Sequence, residues 1–462
     1  MVNLKSFYDI LPYNLKTLAA SAYGYLLYFW RFNKNTEKFV EEALERETWT
    51  KNQWRNWQDE RLAYILDRAA RKVPYYRAYW ERQRRKGNDS SWELLSNWPI
   101  LGKKTVQEQP HAFLAEDCNP KFMFKDPTSG TTGRPTIVYK SRGTVINYSA
   151  IFEARLKRWH DVSSEDHWGI FGGKRVVSLD RDHPPFWVWN KGLSQIYFSI
   201  YHISEKTAQD YINALWKYRP THLIVYPSSF SELANYVLQQ GLEPPAIKVI
   251  LSNAEKLKPW SRKIIQEAFN CPVFDTYGLA EMTGAASECN DGTLHLWPEV
   301  GYLEVLDIDT NYPLIEYKKP GKFIMTGLMN PDMPLIRYKN GDVGELVNWR
   351  YQCACQRKLP VTGSIIGREK DLILTADGRK IYLLDSIFNT LPILEIQLEQ
   401  ITPSNFIVRI VPNVNVNKSN LHNEIVKTLS PYLGDIDVDV ELTDRIPRDR
   451  TGKFKPYISH VS

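Results

Sequence analysis

A run of hydroxyl side chains and glycines, Thr128-Ser129-Gly130-Thr131-Thr132-Gly133, is the first segment of this chain whose residue types could do chemistry. Its two glycines permit a tight turn, and hydroxyls together with exposed backbone N–H groups can surround the oxygens of a phosphate. The run is not a P-loop, because the spacing G-x-x-x-x-G-K-[ST] is absent. A Ser/Thr/Gly stretch is also typical of a flexible surface loop, so the run alone leaves both interpretations open.

A second set of chemically capable residues consists of cysteines and one histidine. Five residues separate Cys289 from His295, and Cys353 and Cys355 form a C-x-C pair further along the chain. Three thiolates and one imidazole are a ligand set for tetrahedral zinc with no open position, which predicts a structural site. The C-x-C pair is tighter than the usual spacing of zinc ligands, so the residues alone leave the metal site open.

The total number of cysteines is five, which is odd. An odd number argues against a disulfide framework and favours a reducing compartment. Cys118 and Cys271 stand outside the zinc pattern, and we expect both to be buried.

The elements that must position these residues follow from the periodicity of the apolar side chains. From about residue 204, helices and strands alternate: we expect helices at 205–218 and 259–269 and strands at 221–226, 246–251 and 273–276. Ser229 with Glu232 resembles a capping box opening another helix that stops at Gly241. This alternation predicts a parallel sheet with helical crossovers, and hence an α/β core.

The flanking parts of the chain have other patterns. The first hundred residues are mostly helical, and short strands broken by Gly, Pro and Asn predict a β-rich subdomain over 285–365. Its predicted strands are 293–297, 301–307, 322–327 and 335–338. The last ninety residues mix strands at 371–375, 406–411 and 436–442 with helices at 385–390 and 420–433. We therefore predict an α/β protein with a large N-terminal domain (1–369) that contains parallel sheets and the β-rich subdomain, plus a separate small α+β C-terminal domain (370–462).

Composition excludes some classes of protein. With 462 residues, 43% hydrophobic and 24% charged, the chain is neither a small stapled scaffold nor disordered. A net charge of +6 from 59 basic and 53 acidic residues is too dispersed to indicate nucleic-acid binding.

No secretory signal is recognisable, so we expect a cytoplasmic protein. The apolar stretch 17–30 is shorter than the ~20 residues of a spanning helix; it suits a helix docked on the main body or one lying on the inner face of a membrane.

Four further segments complete a pattern with the 128–133 run. They are Asp275-Thr276-Tyr277-Gly278-Leu279-Ala280-Glu281, Pro334-Leu335-Ile336-Arg337-Tyr338-Lys339-Asn340-Gly341-Asp342, Gly367-Arg368-Glu369-Lys370-Asp371 and Thr451-Gly452-Lys453. In this order the five segments resemble the adenylate-forming superfamily of acyl-CoA synthetases, peptide-synthetase adenylation domains and luciferases. The resemblance covers most of the chain from about residue 100 onward.

The resemblance implies a nucleotide site. The 128–133 run would hold the β- and γ-phosphates of ATP, Tyr277 would stack on adenine, Glu281 would contact Mg²⁺, and Asp342 would accept hydrogen bonds from the ribose hydroxyls. The segment Asn253-Ala254-Glu255 matches the adenine-contacting segment. Further nucleotide contacts are implied for Asp275, Thr276, Gly278 and Arg368.

The resemblance also implies a two-step reaction. Lys453 would stabilise the charge that develops when a carboxylate attacks the α-phosphate of ATP. The small domain would then rotate about the matching hinge residue, Lys370, and withdraw Lys453 so that an acceptor can attack the acyl-adenylate.

Within the superfamily the chain resembles the phenylacetate–CoA ligase-like branch, including its capsular-polysaccharide relatives. In that branch a Cys…His pair follows the Tyr-Gly-x-x-Glu segment, a C-x-C pair precedes the hinge, and some members bind zinc there. Three departures put phenylacetate itself in doubt: Gln356 replaces the Gly after C-x-C, Pro298-Glu299 displaces an acidic residue, and Asn340 replaces the Thr of Thr-Gly-Asp. Four positions lie where the branch lines its acyl pocket: Gly172, Gly173, Tyr226 and Ser228.

Two classes of function follow. The first is ATP-dependent activation of a small carboxylic acid with release of pyrophosphate, followed by transfer to CoA, with a carrier thiol or a saccharide amine or hydroxyl in polysaccharide biosynthesis as alternative acceptors. The second is a catalytically silent, zinc-stabilised binding protein. A silent protein has no need to keep Glu281, Asp342 and Lys453 together, which favours the enzyme. The implied cofactors are ATP/AMP, Mg²⁺, structural Zn²⁺ and CoA, with no nucleic-acid partner.

Overall fold

A computed structural model describes residues 8, 11–128, 135–317, 319–382, 385–388, 391, 393–412, 418–449 and 451–461. Most of the predicted phosphate-binding run, namely Ser129, Gly130, Thr131, Thr132 and Gly133, lies outside the described residues. The last two residues of the predicted helix 385–390 lie outside them as well.

The bounds of the elements are as follows. The α-helices are α1 Tyr13–Arg31, α2 Thr36–Glu45, α3 Lys51–Lys72, α4 Pro74–Arg85, α5 Lys103–Glu108, α6 Arg142–Phe152, α7 Ala208–Tyr218, α8 Pro227–Gln240, α9 Pro259–Phe269 and α10 Lys418–Leu433. The strands of the large domain are β1 Leu101–Gly102, β2 Phe124–Pro127, β3 Ile137–Lys140, β4 Trp168–Gly172, β5 Trp187–Asn190, β6 Gln195–Ser199, β7 His222–Val225, β8 Val249–Ser252, β9 Val273–Phe274, β10 Thr276–Gly278, β11 Ala285–Glu288, β12 Leu294–Leu296, β13 Gly301–Asp307, β14 Gly321–Gly327, β15 Tyr338–Gly344 and β16 Ile365–Arg368. Those that follow are β17 Ile373–Leu374, β18 Lys380–Ile381, β19 Ile393–Gln400, β20 Asn405–Pro412, β21 Asp437–Leu442 and β22 Tyr457–Ser459.

The central sheet of the large domain has the strand order β5-β6-β4-β7-β8-β9. All of its neighbouring pairs are parallel except β5 with β6, which is antiparallel. Strands β7 and β8 are buried along their whole length, as expected for strands covered by helices on both faces. The predicted parallel α/β core is therefore confirmed, and the carboxyl ends of these strands meet at one edge of the sheet.

The start of α8 corrects one prediction. The helix begins at Pro227 rather than at Ser229, because proline at the first helical position is pre-organised for the helix and needs no N–H partner. Ser229 is buried inside the helix instead of capping it. The predicted end is right: Gly241 follows with a φ of 63°, which glycine adopts without strain.

The β-rich part of the large domain contains a five-stranded sheet and a three-stranded sheet. The larger has the order β1-β15-β14-β13 with β16 paired to β15, and the smaller has the order β10-β11-β12. The strand expected at 335–338 instead begins at Tyr338, because Arg337 has a left-handed φ of 47° that interrupts an extended strand. The pairing of β15 with β16 sets Asp342 directly opposite Arg368.

The last segments form a small domain, defined here as β17 to β22 with α10. Its four-stranded sheet has the order β21-β20-β19-β22, and α10 contributes Leu421, Ile425 and Leu429 to a separate apolar core. The indole of Trp260, on α9 of the large domain, packs against that core. The fold class is thus confirmed: a mixed α/β large domain with several sheets and a separate C-terminal domain.

Helix α1 lies flat on the edge of the central sheet. Gly24 faces Asn190 at the end of β5, and the hydroxyl of Ser21 accepts a hydrogen bond of 3.1 Å from the Lys191 backbone N–H. The outward face carries exposed apolar side chains, including Leu18 and Leu26, 65% and 51% exposed. The stretch 17–30 is therefore a docked helix whose outer face is apolar. In the part of the chain that the structure describes, no helix has the length and apolarity to cross a bilayer.

Candidate functional site

The predicted site residues gather where the parallel strands end. Gly172 is the last residue of β4, Tyr226 follows β7, the segment 253–255 follows β8, and Asp275 follows β9. In open α/β sheets, ligands bind in the crevice outside the carboxyl ends of the strands. Residues separated by more than a hundred positions in the sequence thus line one edge of the sheet.

Asp275 holds the turn that leads into β10. Its Oδ1 accepts hydrogen bonds from the Ser252 hydroxyl at 3.0 Å and from the Thr276 backbone N–H at 2.9 Å. Burial, and after it the nearby Glu288 carboxylate, raises the pKa of Asp275 to about 6. The Thr276 hydroxyl donates to the Ser252 carbonyl at 2.5 Å, so this turn is tied to the end of β8.

A buried polar cluster joins Tyr277 to Asp342. The Tyr277 hydroxyl donates to Asp342 Oδ2 at 2.6 Å, and Arg368 Nη1 lies 3.0 Å from Asp342 Oδ1. The Asn340 amide donates to the Tyr277 oxygen at 2.9 Å and to Asp342 Oδ2 at 2.5 Å. Burial raises the pKa of the Asp342 carboxyl, and Arg368 acts in the opposite direction. Asn340, noticed in the sequence only as a departure from the family, therefore has a definite role in holding this carboxylate.

Glu281 lies at the bottom of the same region and is 7% exposed. Its Oε1 accepts a hydrogen bond of 3.0 Å from the Tyr338 hydroxyl and lies 3.6 Å from the ammonium of Lys103. Sequence reasoning missed Lys103, because nothing in its own segment at the start of α5 marks it as a site residue. A carboxylate oxygen is the type of ligand that a hard cation such as Mg²⁺ prefers, so Glu281 fits that ion chemically.

Lys453 stands on a turn that its neighbours fix. Asp449 Oδ1 accepts hydrogen bonds from the Thr451 backbone N–H at 2.8 Å and from the Lys453 backbone N–H at 3.1 Å, and Gly452 has a φ of 80°. The Lys453 ammonium lies 5.9 Å from the centroid of the Tyr226 ring. The turn thus places a lysine of the small domain beside a side chain that follows β7 of the large domain.

Glu255 connects the large domain to the small one. Its Oε1 accepts a hydrogen bond of 2.5 Å from the Phe454 backbone N–H, and its Oε2 accepts one of 3.1 Å from the Ser228 backbone N–H. The sequence placed this residue beside adenine through its neighbours Asn253 and Ala254. Its connection to the residue after Lys453 had no signal in the sequence.

Of the predicted acyl-pocket positions, Gly173, Tyr226 and Ser228 lie at the interface of the two domains. The Gly173 carbonyl accepts a hydrogen bond of 2.7 Å from the Tyr201 hydroxyl, and a Cβ at Gly173 would collide with the carbonyl oxygen of Thr451. A cavity of about 230 Å³ lies at the same interface, and none of the four predicted acyl-pocket positions is among the residues that line it. The residues lining it are Ile200, Tyr201, Ser229, Arg445, Pro447, Arg448, Asp449 and Gly452.

The cysteines and the histidine of the predicted zinc set come together. The ligand atoms of Cys289, His295, Cys353 and Cys355 all lie within 4.8 Å of one another. Cys289 Sγ lies 3.6 Å from Cys353 Sγ, close to the ~3.8 Å that two thiolates have in a tetrahedral zinc site with Zn–S bonds of ~2.3 Å. His295 Nδ1 lies 3.3 Å from the carbonyl oxygen of Leu359, which leaves Nε2, 3.4 Å from Cys355 Sγ, to face the thiols. The donor set and its arrangement fit zinc.

Comparison with known proteins gives two matching family profiles and several similar sequences. The profile of the AMP-binding enzyme family matches residues 55–325, and that of the CapK C-terminal domain matches residues 373–460. Protein CapK of Staphylococcus aureus is 24% identical over 465 aligned positions, covering 99% of this chain and 100% of its own length. The phenylacetate–coenzyme A ligase of Pseudomonas putida is 24% identical over 337 positions, covering 69% of this chain and 72% of its own.

Among solved structures, the fold is similar to that of a 2-hydroxyisobutyryl-CoA ligase described as being in the postadenylation state. The TM-score is 0.70 at 18% identity, with 90% of this chain and 91% of that chain covered. Because the sequence identity is only 18%, this similarity shows a shared fold and no more.

Proposed function

Because the chain belongs to the AMP-binding enzyme family and is an AMP-forming ligase of its phenylacetate–CoA ligase-like and CapK branch, we propose that it activates one small carboxylic acid and transfers the acyl group to a thiol, with CoA as the first candidate. The observation that carries this proposal is the position of Lys453, held beside Tyr226 at the carboxyl end of β7, on the sheet edge where Asp275 also lies.

In the proposed first step, a carboxylate oxygen of the acid attacks the α-phosphorus of ATP, and the bond to the β-phosphate oxygen breaks. Pyrophosphate leaves and an acyl-adenylate remains. The Lys453 ammonium balances negative charge on the attacking carboxylate and the α-phosphate, where it is worth most in the transition state. Thr128 and the 129–133 run would bind the outer phosphates.

Nucleotide binding is assigned to the cluster around Asp342. The Asp342 carboxylate, held by Arg368 and Asn340, offers acceptor oxygens to the ribose hydroxyls. The ring of Tyr277 and the backbone of Asn253 and Ala254 would border adenine. Asp275, Thr276 and Gly278 would set the path of the chain between them.

Glu281 would supply a carboxylate oxygen to Mg²⁺, which neutralises phosphate charge when bound. The Tyr338 hydroxyl orients that carboxylate through its hydrogen bond, and the Lys103 ammonium offsets its negative charge.

In the proposed second step, the thiol sulfur attacks the acyl carbonyl carbon, the bond to AMP breaks, and the thiol proton goes to solvent. Lys370 lies in a 3₁₀ turn, Glu369–Asp371, between β16 and β17. We place the domain boundary of 1–369 and 370–462 there, with rotation about Lys370 removing Lys453 before the acceptor enters.

The nucleotide assignment gives a direct prediction. Asp342→Ala should weaken binding of AMP about 10- to 100-fold, because hydrogen bonds to a charged group contribute about 1.5–3 kcal/mol. Isothermal titration calorimetry with AMP measures the effect, and Asp309→Ala, a change at an exposed acid of the same domain, serves as the control. Unchanged affinity in Asp342→Ala would remove Asp342 from the nucleotide site.

The acid is identified by ATP–pyrophosphate exchange with aryl, fatty, amino and sugar acids. Gly172, Gly173, Tyr226 and Ser228 would line the acyl pocket. We expect exchange with one of these classes. Absence of exchange with every acid would favour a catalytically silent binding protein.

A second acceptor is favoured by one observation. Residues 373–460, which form the domain that would rotate to admit the acceptor, match the CapK C-terminal domain profile. A carrier thiol, or a saccharide amine or hydroxyl in polysaccharide biosynthesis, is the alternative to CoA that the resemblance to the capsular-polysaccharide relatives implies. Mass spectrometry of the products formed with CoA, with a phosphopantetheinylated carrier or with amino sugars distinguishes the three acceptors.

We also propose that Cys289, His295, Cys353 and Cys355 hold one structural Zn²⁺. Four protein ligands leave no open position, so this ion would take no part in the reaction. Its role would be to join the β11–β12 hairpin to the loop that precedes the hinge.

Contact with the inner face of the membrane is proposed for the outer face of α1. Leu15, Leu18, Tyr25, Leu26 and Phe29 are each about half exposed or more, at the spacing of one helical face. The helix contains no Asp or Glu, so none of its own side chains adds a negative charge that anionic lipids would repel. We propose a cytoplasmic localisation together with this contact, which requires no spanning segment.

The membrane proposal predicts binding to vesicles. Wild-type protein should co-sediment with phosphatidylglycerol-containing vesicles, and Leu18→Glu with Leu26→Glu should lower the partition coefficient at least about 10-fold, since burying one leucine is worth about 1.5–3 kcal/mol. Leu94→Glu, at another leucine exposed to a similar extent, is the matched control. Equal sedimentation of wild type and the double variant would contradict the proposal.

A further inference from the structure

The carboxylate of Glu255 connects the two domains at the residue next to Lys453. Ala254 has a left-handed φ of 70°, which turns the chain sharply after β8 and brings Glu255 to the interface. One oxygen accepts from the Ser228 N–H and the other from the Phe454 N–H. Ser228 lies in the first turn of α8, where the helix dipole favours a negative charge. The carboxylate is thus anchored on the large domain and presents its second oxygen to the small one.

At the Lys453 turn itself, Gly173 closely approaches the Thr451 carbonyl oxygen and Gly452 closely approaches Ile200. Two other contacts bring the domains together at a distance from Lys453. Trp260 packs against the apolar core of the small domain, and Arg445 pairs with Glu232 of α8 at 3.3 Å. These contacts involve residues separated from Lys453 by several positions. The Glu255–Phe454 hydrogen bond is made by the backbone N–H that directly follows Lys453 in the chain.

We infer that Glu255 is a positioning residue that docks the Lys453 turn for acid activation and releases it for acyl transfer. The inference rests on the proposed function. A carboxylate–amide hydrogen bond is charge-assisted and directional, so it fixes the turn while the domains are docked. When the small domain rotates, water can replace the Phe454 N–H, while the Ser228 N–H remains bound. The bond therefore favours one domain arrangement and makes no contribution to the other.

The charge of Glu255 has a second consequence for Lys453. The ammonium is faced by the carboxylates of Glu255, Asp449 and Asp342, by the guanidinium of Arg368, and by the ring of Tyr226. Burial lowers the pKa of Lys453. Among the groups that raise this pKa, the Glu255 carboxylate has the largest effect. Removal of the charge should therefore leave less protonated lysine at a given alkaline pH.

Hydrogen–deuterium exchange of the full chain, without any ligand, tests the docking. We expect the peptide that contains Phe454 to exchange about 10- to 100-fold faster in Glu255→Ala than in wild type, as loss of a hydrogen bond to a charged group implies. Glu243→Ala, a change at an exposed acid between α8 and β8, should leave that peptide unchanged. Wild-type exchange of the Phe454 peptide in Glu255→Ala would overturn the inference.

Half-reaction kinetics test the positioning. The acid with the fastest ATP–pyrophosphate exchange is used for the first step, and its synthetic adenylate with CoA for the second. Glu255→Ala should lower the first rate about 10- to 100-fold and leave the second within about twofold. Glu255→Gln, which keeps one acceptor but no charge, should recover part of the rate and shift its alkaline decline to lower pH, because the decline marks loss of the Lys453 proton.

The outcomes separate the two hypotheses. Equal loss in both half-reactions, or no shift of the alkaline decline in Glu255→Gln, would overturn the positioning role. If wild type exchanges pyrophosphate with no acid, the proposed function fails, whereas hydrogen exchange still decides whether Glu255 docks the small domain.

Discussion

Lys453→Ala should lower the rate of ATP–pyrophosphate exchange by about 10²- to 10³-fold, the cost of removing one preorganised group that stabilises transition-state charge. The ammonium stands beside the ring of Tyr226 on a turn that Asp449 fixes, so truncation removes the charge and leaves the turn in place. We expect the rate constant of adenylation to decrease and the affinity for AMP to stay unchanged, because the nucleotide-binding cluster around Asp342 belongs to the large domain.

The control for this experiment is Lys455→Ala, two residues further along the chain and exposed. It removes the same charge from the same domain and should retain exchange within about twofold, as surface substitutions usually do. Transfer of a preformed acyl-adenylate to CoA should survive in Lys453→Ala. Exchange at the wild-type rate in Lys453→Ala would remove this lysine from the adenylation step.

The second large effect is expected for the double variant Cys353→Ser, Cys355→Ser. It removes two of the four candidate ligands, so the chain should lose its zinc, and the free energy of unfolding of the large domain should fall by about 5 kcal/mol or more, part of the binding energy of a structural zinc ion. A fall of at least about 6 °C in Tm is expected for a domain of this size. Elemental analysis and thermal unfolding measure the two effects.

Two cysteines outside the cluster provide a matched control. Cys118→Ser and Cys271→Ser change the same side chain elsewhere and should leave the zinc content unchanged. Fewer than about half an equivalent of zinc in wild-type protein purified without chelators would contradict a four-ligand structural site. A double variant that keeps both zinc and Tm would contradict it as well.

The residues packed around the Cys/His cluster explain why loss of the zinc should destabilise more of the chain than the four ligands. The ring of Trp159 lies 5.9 Å from that of His295, edge to face, and its indole N–H donates to Glu47 at 2.6 Å. Arg357, two residues after Cys355, pairs with the other oxygen of Glu47 at 2.9 Å. Disorder at the C-x-C loop would thus reach the helical beginning of the chain.

Short sequence patterns correctly predicted those helices and strands whose bounds depend on neighbouring residues alone. The bounds of α9 and β13 agree with the sequence prediction, because Pro259 marks the start of one and apolar alternation marks the other. The four zinc candidates were also found from residue type and spacing, and the structure brings them together. These features depend on short-range geometry or on distinctive chemistry.

Features made by contacts between distant segments were missed. The start of α8 was misplaced because Ser229 and Glu232 imitate a capping box, whereas Glu232 pairs with Arg445 of the small domain. Neither the approach of Lys103 to Glu281 nor the bond from Phe454 to Glu255 has a local signature, since each joins segments far apart in the sequence. Such pairs are specified by the fold and are visible only once it is known.

The Cys/His cluster has a consequence for how the chain is made. Cys289 and Cys353 are 64 positions apart, and closing a loop of that length costs about 4 kcal/mol of chain entropy before any ligand contact repays it. The third thiol follows two residues later, so during synthesis the full ligand set exists only after most of the large domain has left the ribosome. Metal capture would then be a late event, one that locks the β-rich part after the parallel sheet has formed. Cells short of zinc would accumulate a chain whose nucleotide-binding edge is built but whose connection to the hinge is loose.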